Sequence, residues 1–282
     1  MNRMQLGAAL RELRQAAGKE AKAVARSAVM SRSKLSKIET GKVSPTVVDV
    51  ERILTAIGVS EEVKSPYMVA ARAQATEATA WRLVRRLGHH RKQQQIKALD
   101  DSTRLLRVFQ PSLVPGLLQT PEYVRAVFGR RSLGEEQLSR TVAARLARQE
   151  SLYDATKTLR FVMTEPVLHW RLVPPAMMAG QLDRILSASR LPHVDIRIVP
   201  LAARQSDVPA HSFVIRDDRM VTVETVHAEL TVTDPRDVEV YARKFDGFAV
   251  TAACGDEMRR MLEAIRDGYL GEQGFPSGSA PE

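Results

Sequence analysis

Three glycines, Gly18, Gly41 and Gly58, each close a short apolar stripe within the first sixty residues of a 282-residue chain. A glycine just past such a stripe suits the left-handed backbone at a helix C-terminus, because it has no Cβ to clash. This punctuation confines the segment to at least four short helices. Leu6, Leu10, Leu13 and Ala17 recur at helical spacing and mark the first. A second over 20–28 turns Val24 and Ala28 inward and sets Glu20 where the helix dipole favours negative charge. Ser31 can cap a third, its hydroxyl accepting a backbone N–H two or three residues on. Leu35 and Ile38 form that helix's inner stripe. The fourth follows Pro45 and buries Val47, Val50, Leu54 and Ile57.

With Leu35 and Ile38 inward, Arg32, Ser33, Ser36 and Lys37 face outward and Lys34 lies at the flank. A helix with this outer face can enter the major groove, where Arg and Lys read guanine O6 and N7 and Ser donates to several base edges. Its N-terminus also suits phosphate. An ordinary solvated helix with solubilising lysines would show the same pattern.

Charge is concentrated in the same half of the chain. The formal charge of +9 divides into +6 on residues 1–60, +4 on 61–100 and −1 on 101–282. Eight of the ten lysines lie in the first hundred residues. A localised basic segment points to a polyanion, with a solvated basic face as the alternative. Composition excludes other classes. With 44% hydrophobic residues, wholesale disorder is excluded. A single cysteine, Cys254, excludes a disulfide framework and any multi-cysteine metal site. No apolar run approaches the ~18 residues of a membrane span. Arg11, Glu12 and Arg14 interrupt the N-terminal apolar stretch too early for a signal peptide. The expected location is cytoplasmic, on the nucleoid when bound to DNA, with no membrane partner.

The stretch GKEAKAVARSAVMSRSKLSKIETG at 18–41, followed by KVSPT, resembles the helix-turn-helix of phage-repressor-like (XRE-type) regulators. Ala25 in the second helix, Ser31 before the third, Ile38 and Glu39 at its end and Gly41 after it carry the resemblance. It implies a recognition helix over 31–40, with Arg32, Ser33 and Lys37 reading bases. Ser31, Lys34, Ser36 and Lys42 would touch phosphate, and Glu39 would pair with Arg14 as a structural ion pair. Two positions depart from the pattern. Val29 stands where the turn usually has glycine, at a backbone conformation a β-branched residue tolerates poorly. Lys19, Glu20 and Ala21 stand where a phosphate-binding Thr or Gln is usual, leaving Lys19 or Lys22 to compensate.

Residues 64–100 read as a helical connector, clearest over 67–87, with a packing stripe of Trp81, Val84 and Leu87. A break falls at Gly88, before two histidines, His89 and His90, expected to be exposed. From 101 the composition changes. A strand over 104–109 runs into a Pro-rich loop, and Thr120 with Pro121 can start a helix. Tyr123, Val127 and Phe128 would anchor it. A longer helix over 135–153 has Leu138, Val142, Leu146 and Leu152 inward, and Arg140, Arg145, Arg148 and Gln149 on the opposite face. Further strands are expected at 158–163, 194–199, 212–215, 220–226 and 229–233, with helices over 181–189, 234–248 and 256–269. The expectation is an N-terminal all-α helix-turn-helix domain over 1–63 and an α+β domain over 101–270 with a mixed or antiparallel sheet. A disordered tail would cover 271–282.

This second part resembles a C-terminal domain of unknown function found in actinobacterial helix-turn-helix regulators. VPGLLQTPEYVRA at 114–126, ARLARQESL at 144–152, MTEPVL at 163–168, MMAGQLDRIL at 177–186 and VDIRIVP at 194–200 carry it. HSFVI at 211–215 and VTVETV at 221–226 add to it. Asp100 and Thr103 stand where the pattern has a Glu and an Ala. The resemblance implies a transcriptional regulator, a repressor or co-regulator, commonly encoded beside a very small partner protein. Its partners would be a double-stranded DNA operator, a second copy of the chain, that small protein and an unidentified small-molecule effector. An antitoxin-like protein with autoregulatory DNA binding is the alternative.

Glu165, His169, His193, His211, Glu224 and His227 are the residues from which catalytic chemistry could be built, but they show neither a metal-ligand spacing nor a triad signature. Cys254 sits at a helix start, where a thiolate is stabilised, though a buried structural cysteine is the simpler reading. The sequence therefore predicts no enzyme, no cofactor and no metal.

Overall fold

The structure, a computed structural model, describes residues 3–74, 76–80, 88–131, 133–205, 207–226 and 228–272. The expected stripe of Trp81, Val84 and Leu87, the candidate His227 and the tail from 273 onward lie outside the described residues. The chain divides into two compact units. The first comprises Met1–Ala78 with Arg219–Val221 and Leu230–Glu239, and the second Thr79–Asp218, Thr222–Glu229 and Val240–Glu282.

Residues 3–74 of the first unit form five helices: α1 Arg3–Ala16, α2 Ala21–Ser27, α3 Arg32–Glu39, α4 Val47–Ile57 and α5 Glu61–Gln74. Gly18, Gly41 and Gly58 all have positive φ. Ser31 Oγ accepts the Lys34 N–H at 3.1 Å. Thr46 and Asp49 cap α4 reciprocally, Asp49 N–H donating to Thr46 Oγ1 at 3.0 Å and Thr46 N–H to Asp49 Oδ2 at 3.1 Å. Leu6, Leu10, Val24, Ala28, Leu35 and Ile38 are buried together with the four expected residues of α4. The first stripe is shorter than expected, because Leu13 is only partly buried and Ala17 is exposed. At Gly7 a Cβ would overlap the Ile38 carbonyl oxygen. That close approach fixes α1 against the end of α3.

The helix expected over 67–87 differs in the structure. It begins at Glu61 and ends at Gln74, and a strand, β1 Thr76–Ala80, follows. Tyr67, Met68 and Ala71 of α5 pack on the core of the first unit, so this helix crosses the expected boundary at 63. Ala71 is fully enclosed by that core.

After Gly88 the elements are α6 His89–Asp101, β2 Leu105–Gln110, α7 Pro121–Gly129, α8 Glu135–Arg148, β3 Thr158–Thr164, α9 Pro175–Ala188 and β4 Val194–Val199. Then come β5 Phe213–Arg216, β6 Met220–Glu224, β7 Ala228–Val232, α10 Pro235–Thr251 and α11 Gly255–Gly271. The fold class is as expected, α+β with a mixed sheet. Its order is β7-β6-β5-β2-β3-β4, with β1 beside β7. β2 and β4 both run parallel to β3, and β5 runs antiparallel to β2. Leu106, Val108, Phe161, Met163 and Ile196 face a core shared with Met178, Leu182 and Leu262.

The VPGLLQT loop is held by three glutamines. Gln119 Nε2 donates to the Val114 carbonyl at 2.7 Å. Gln149 Nε2 reaches the carbonyls of Gly116 at 3.0 Å and Gln119 at 2.8 Å. Gln181 Nε2 donates to the Leu118 carbonyl at 2.7 Å, and its Oε1 accepts the Thr120 N–H at 2.8 Å. A buried irregular loop needs such partners, since each unsatisfied carbonyl costs about 1–3 kcal/mol.

Four further expectations are corrected. His89 is buried, its ring 6.2 Å from that of Phe128. Arg148 and Gln149 are buried as well, because α8 is covered on two faces. Cys254 is exposed as the residue preceding α11. The chain stays helical to Gly271, and both oxygens of Glu272 accept from Arg171 at 2.8 Å.

Candidate nucleic-acid interface

Burial divides α3 as its periodicity requires. Leu35, Ile38 and Glu39 are buried, while Ser31, Arg32, Ser33, Lys34, Ser36, Lys37 and Lys42 are all exposed. Among the described residues, the side chains of Arg32, Lys37 and Lys42 form no ion pair. Lys34 differs. Its Nζ lies 2.7 Å from Asp49 Oδ1, the carboxylate that caps α4. A phosphate at Lys34 would therefore compete with an existing partner.

Arg14 and Glu39 form a two-pronged pair, Nε to Oε1 at 2.7 Å and Nη2 to Oε2 at 2.9 Å. Hydrogen bonding to Glu39 raises the Arg14 pKa above its ordinary value, against the lowering effect of burial. Arg14 also donates to the Lys19 carbonyl at 3.0 Å, which ties the α1–α2 turn to the end of α3.

At the α2–α3 turn Val29 keeps the left-handed conformation, with φ of 55°. The turn is not rebuilt around the missing glycine. Val29 is 77% exposed, so its side chain contributes little packing to offset the strain. Lys19 donates from Nζ to the Ala56 carbonyl at 2.9 Å. It completes the C-terminus of α4 rather than standing free, and Lys22 is the exposed cation near the start of α2.

The second unit holds a buried charged cluster that includes Arg148, which helical periodicity places on the face opposite the leucines. Asp100 accepts Arg148 Nε at 2.7 Å and Arg216 Nε at 3.0 Å, and all three are buried. Burial lowers the Arg216 pKa, and the Asp100 charge opposes that effect. Gln93 Oε1 accepts Arg145 Nε at 2.7 Å. Lys157 donates to the carbonyls of Asp100, Asp101 and Thr103 at 2.8–2.9 Å, completing the end of α6. The available signal was the pair Arg145 and Arg148, one helical turn apart on a helix whose other face carries the leucines.

Of the described residues considered for catalysis, Glu165 and His169 lie close together. Glu165 Oε2 accepts the Leu201 N–H at 2.7 Å, and its other oxygen lies 3.6 Å from His169. His193 Nε2 faces the Leu152 carbonyl at 2.9 Å, and His211 lies beside Phe213 and Tyr241. Glu224 is exposed at the end of β6. Among the described residues, no three His, Cys, Asp or Glu side chains gather as a metal site. No described helix is long and apolar enough to cross a membrane.

Residues 93–264 match the family described as Domain of unknown function (DUF5753), which covers more than half of the chain. The chain belongs to the DUF5753 family. Residues 5–67 match a family described as Helix-turn-helix domain, which takes in most of α1, all of α2 to α4 and the first half of α5. No curated protein matches the sequence. Among solved structures, this DUF5753 protein is similar to NucT from Helicobacter pylori, with 10% identity over 64% of this chain and 98% of that one and a TM-score of 0.38. Nuc from Salmonella typhimurium, a phospholipase D family member, is 11% identical over 64% and 97%, with a TM-score of 0.36. TrmBL2, an archaeal chromatin protein described as having a novel mode of DNA binding, is 11% identical over 72% and 69%, with a TM-score of 0.34.

Proposed function

We propose that this DUF5753 protein is a sequence-specific DNA-binding transcriptional regulator. One observation carries the reading. Within a segment that matches a helix-turn-helix domain, α3 buries Leu35, Ile38 and Glu39 and leaves every residue assigned to DNA exposed. Arg32, Ser33 and Lys37 read bases; Ser31, Ser36 and Lys42 contact phosphate. Lys34 does so only by leaving Asp49. The protein acts as a cytoplasmic homodimer on half-sites about one helical turn apart. Its DUF5753 domain carries the dimer contact and receives a small protein or a small-molecule effector. We assign it no reaction.

The test is fluorescence anisotropy on operator fragments recovered by footprinting the protein's own promoter. Arg32→Ala and Lys37→Ala are each expected to weaken binding by roughly 5- to 150-fold, the effect of about 1–3 kcal/mol per base contact. Lys42→Ala is expected to weaken all sequences alike and to lower the salt slope by about one. Unchanged operator affinity in both recognition-helix variants would overturn the assignment. A monomer by light scattering, free and on DNA, would overturn the dimer.

A further inference from the structure

The DUF5753 domain holds a partly open cavity of about 70 Å³, several times the space a single water needs. Every residue lining it belongs to the second unit. Its walls are of two kinds. Ile96, Val108, Leu117, Phe161 and Val214 form an apolar side. Arg145, Arg148 and Arg216 line it as well.

Two of these cations are already matched, since Arg148 and Arg216 share the carboxylate of Asp100. Glu229, also on the wall, is matched by Lys92. Arg145 is the exception. Its Nε donates to a neutral amide, Gln93, and among the described residues its two terminal nitrogens meet neither a carboxylate nor another acceptor. Phe128 lies under the guanidinium, 5.1 Å from ring centre to Cζ. Gly116 of the VPGLLQT loop leaves the space the group occupies, because a Cβ there would overlap Arg145 Nη1. Burial, with the Arg148 charge beside it, pushes the Arg145 pKa down to about 9, against the raising effect of Glu224 and Asp100.

We propose that this cavity is a binding site for a small organic acid, whose carboxylate is received by the open edge of Arg145 and whose carbon body rests on the apolar wall. A planar guanidinium fork matches a carboxylate bidentately. The charge count favours a monoanion. Arg145, Arg148, Arg216 and Lys92 face Asp100, Glu229 and the exposed Glu224, leaving one positive charge over. A dianion would set its second charge against Glu224 and Glu229. This deepens the regulatory reading, resting on it only for the idea that occupancy matters to DNA binding. The site itself stands on the cavity.

The experiment uses the full chain without DNA. Isothermal titration with acetate, isobutyrate and benzoate is compared with benzamide, a neutral analogue of benzoate, and with inorganic phosphate. Benzoate or isobutyrate is expected to bind at least tenfold more tightly than benzamide and phosphate. Arg145→Gln is expected to weaken that binding at least tenfold. Gly116→Ala keeps every charge but displaces the guanidinium, and it is expected to weaken binding comparably with its circular dichroism spectrum unchanged. Carboxylate binding that survives both substitutions, or benzamide binding as well as benzoate, would overturn the proposal. So would phosphate binding through Arg145 in preference to every carboxylate, or no binding by any carboxylate. Because binding is read on the free protein, a failed operator experiment would count against the regulatory reading and leave this result standing.

Discussion

Asp100 and Arg148, 48 residues apart in sequence, meet at 2.7 Å inside the second unit, and the same carboxylate also takes Arg216. This carboxylate keeps two buried guanidinium groups compatible with the interior. Asp100→Ala would leave both without their counter-charge, and the expected loss is about 3–5 kcal/mol. Urea unfolding followed by intrinsic fluorescence measures it. A loss under about 1 kcal/mol would show that another group neutralises the pair.

The Arg14–Glu39 pair serves the first unit in the same way. Arg14→Ala is expected to destabilise it by about 3 kcal/mol, because Glu39 stays buried without a partner. Arg14→Lys should recover only part of this, since an ammonium cannot match both carboxylate oxygens at once. Thermal melts by circular dichroism should rank the stabilities as wild type, Lys variant, Ala variant. Equal melts for the two variants would argue against a two-pronged pair.

Val29 is a site where a substitution should stabilise the protein. A non-glycine residue in the left-handed region costs about 1–2 kcal/mol, and glycine loses about 0.5–1 kcal/mol through the freedom it gains when unfolded. The net expectation for Val29→Gly is a gain of about 0.5–1 kcal/mol, with little packing lost at an exposed side chain. A lower melting temperature in the variant would mean that the φ of 55° costs nothing at this turn.

Asp234 should contribute an acid-sensitive increment of stability. Burial works to raise its pKa, but hydrogen bonds from Arg236 and the charge of Arg72 outweigh it and hold the carboxylate below its ordinary value. A carboxyl group whose pKa is lower folded than unfolded stabilises the fold above its unfolded pKa of about 4. That contribution is lost as pH falls below about 4 through the folded value. Melting temperature plotted against pH should therefore fall less steeply below pH 4 in Asp234→Asn than in wild type. Parallel curves would show that Asp234 does not contribute to the acid sensitivity.

The first four helices were legible in the sequence because their causes are local. Gly18, Gly41 and Gly58 stop the first, third and fourth, and Ser31 starts the third through a bond only three residues long. Leu35 and Ile38 then fix which side of α3 is buried, so the exposure of Arg32, Ser33 and Lys37 follows from periodicity. Tertiary packing decided the rest. Periodicity sends a charged residue outward, and it sent Arg145 and Arg148 there. Only the fold brings Asp100 to Arg148 and Arg216 from 48 and 116 residues away, and a buried charge is tolerable only where such a partner arrives. The extent of α5 was hidden for the same reason. Tyr67, Met68 and Ala71 pack it on the core of the first unit, a contact that residue spacing along the chain does not contain.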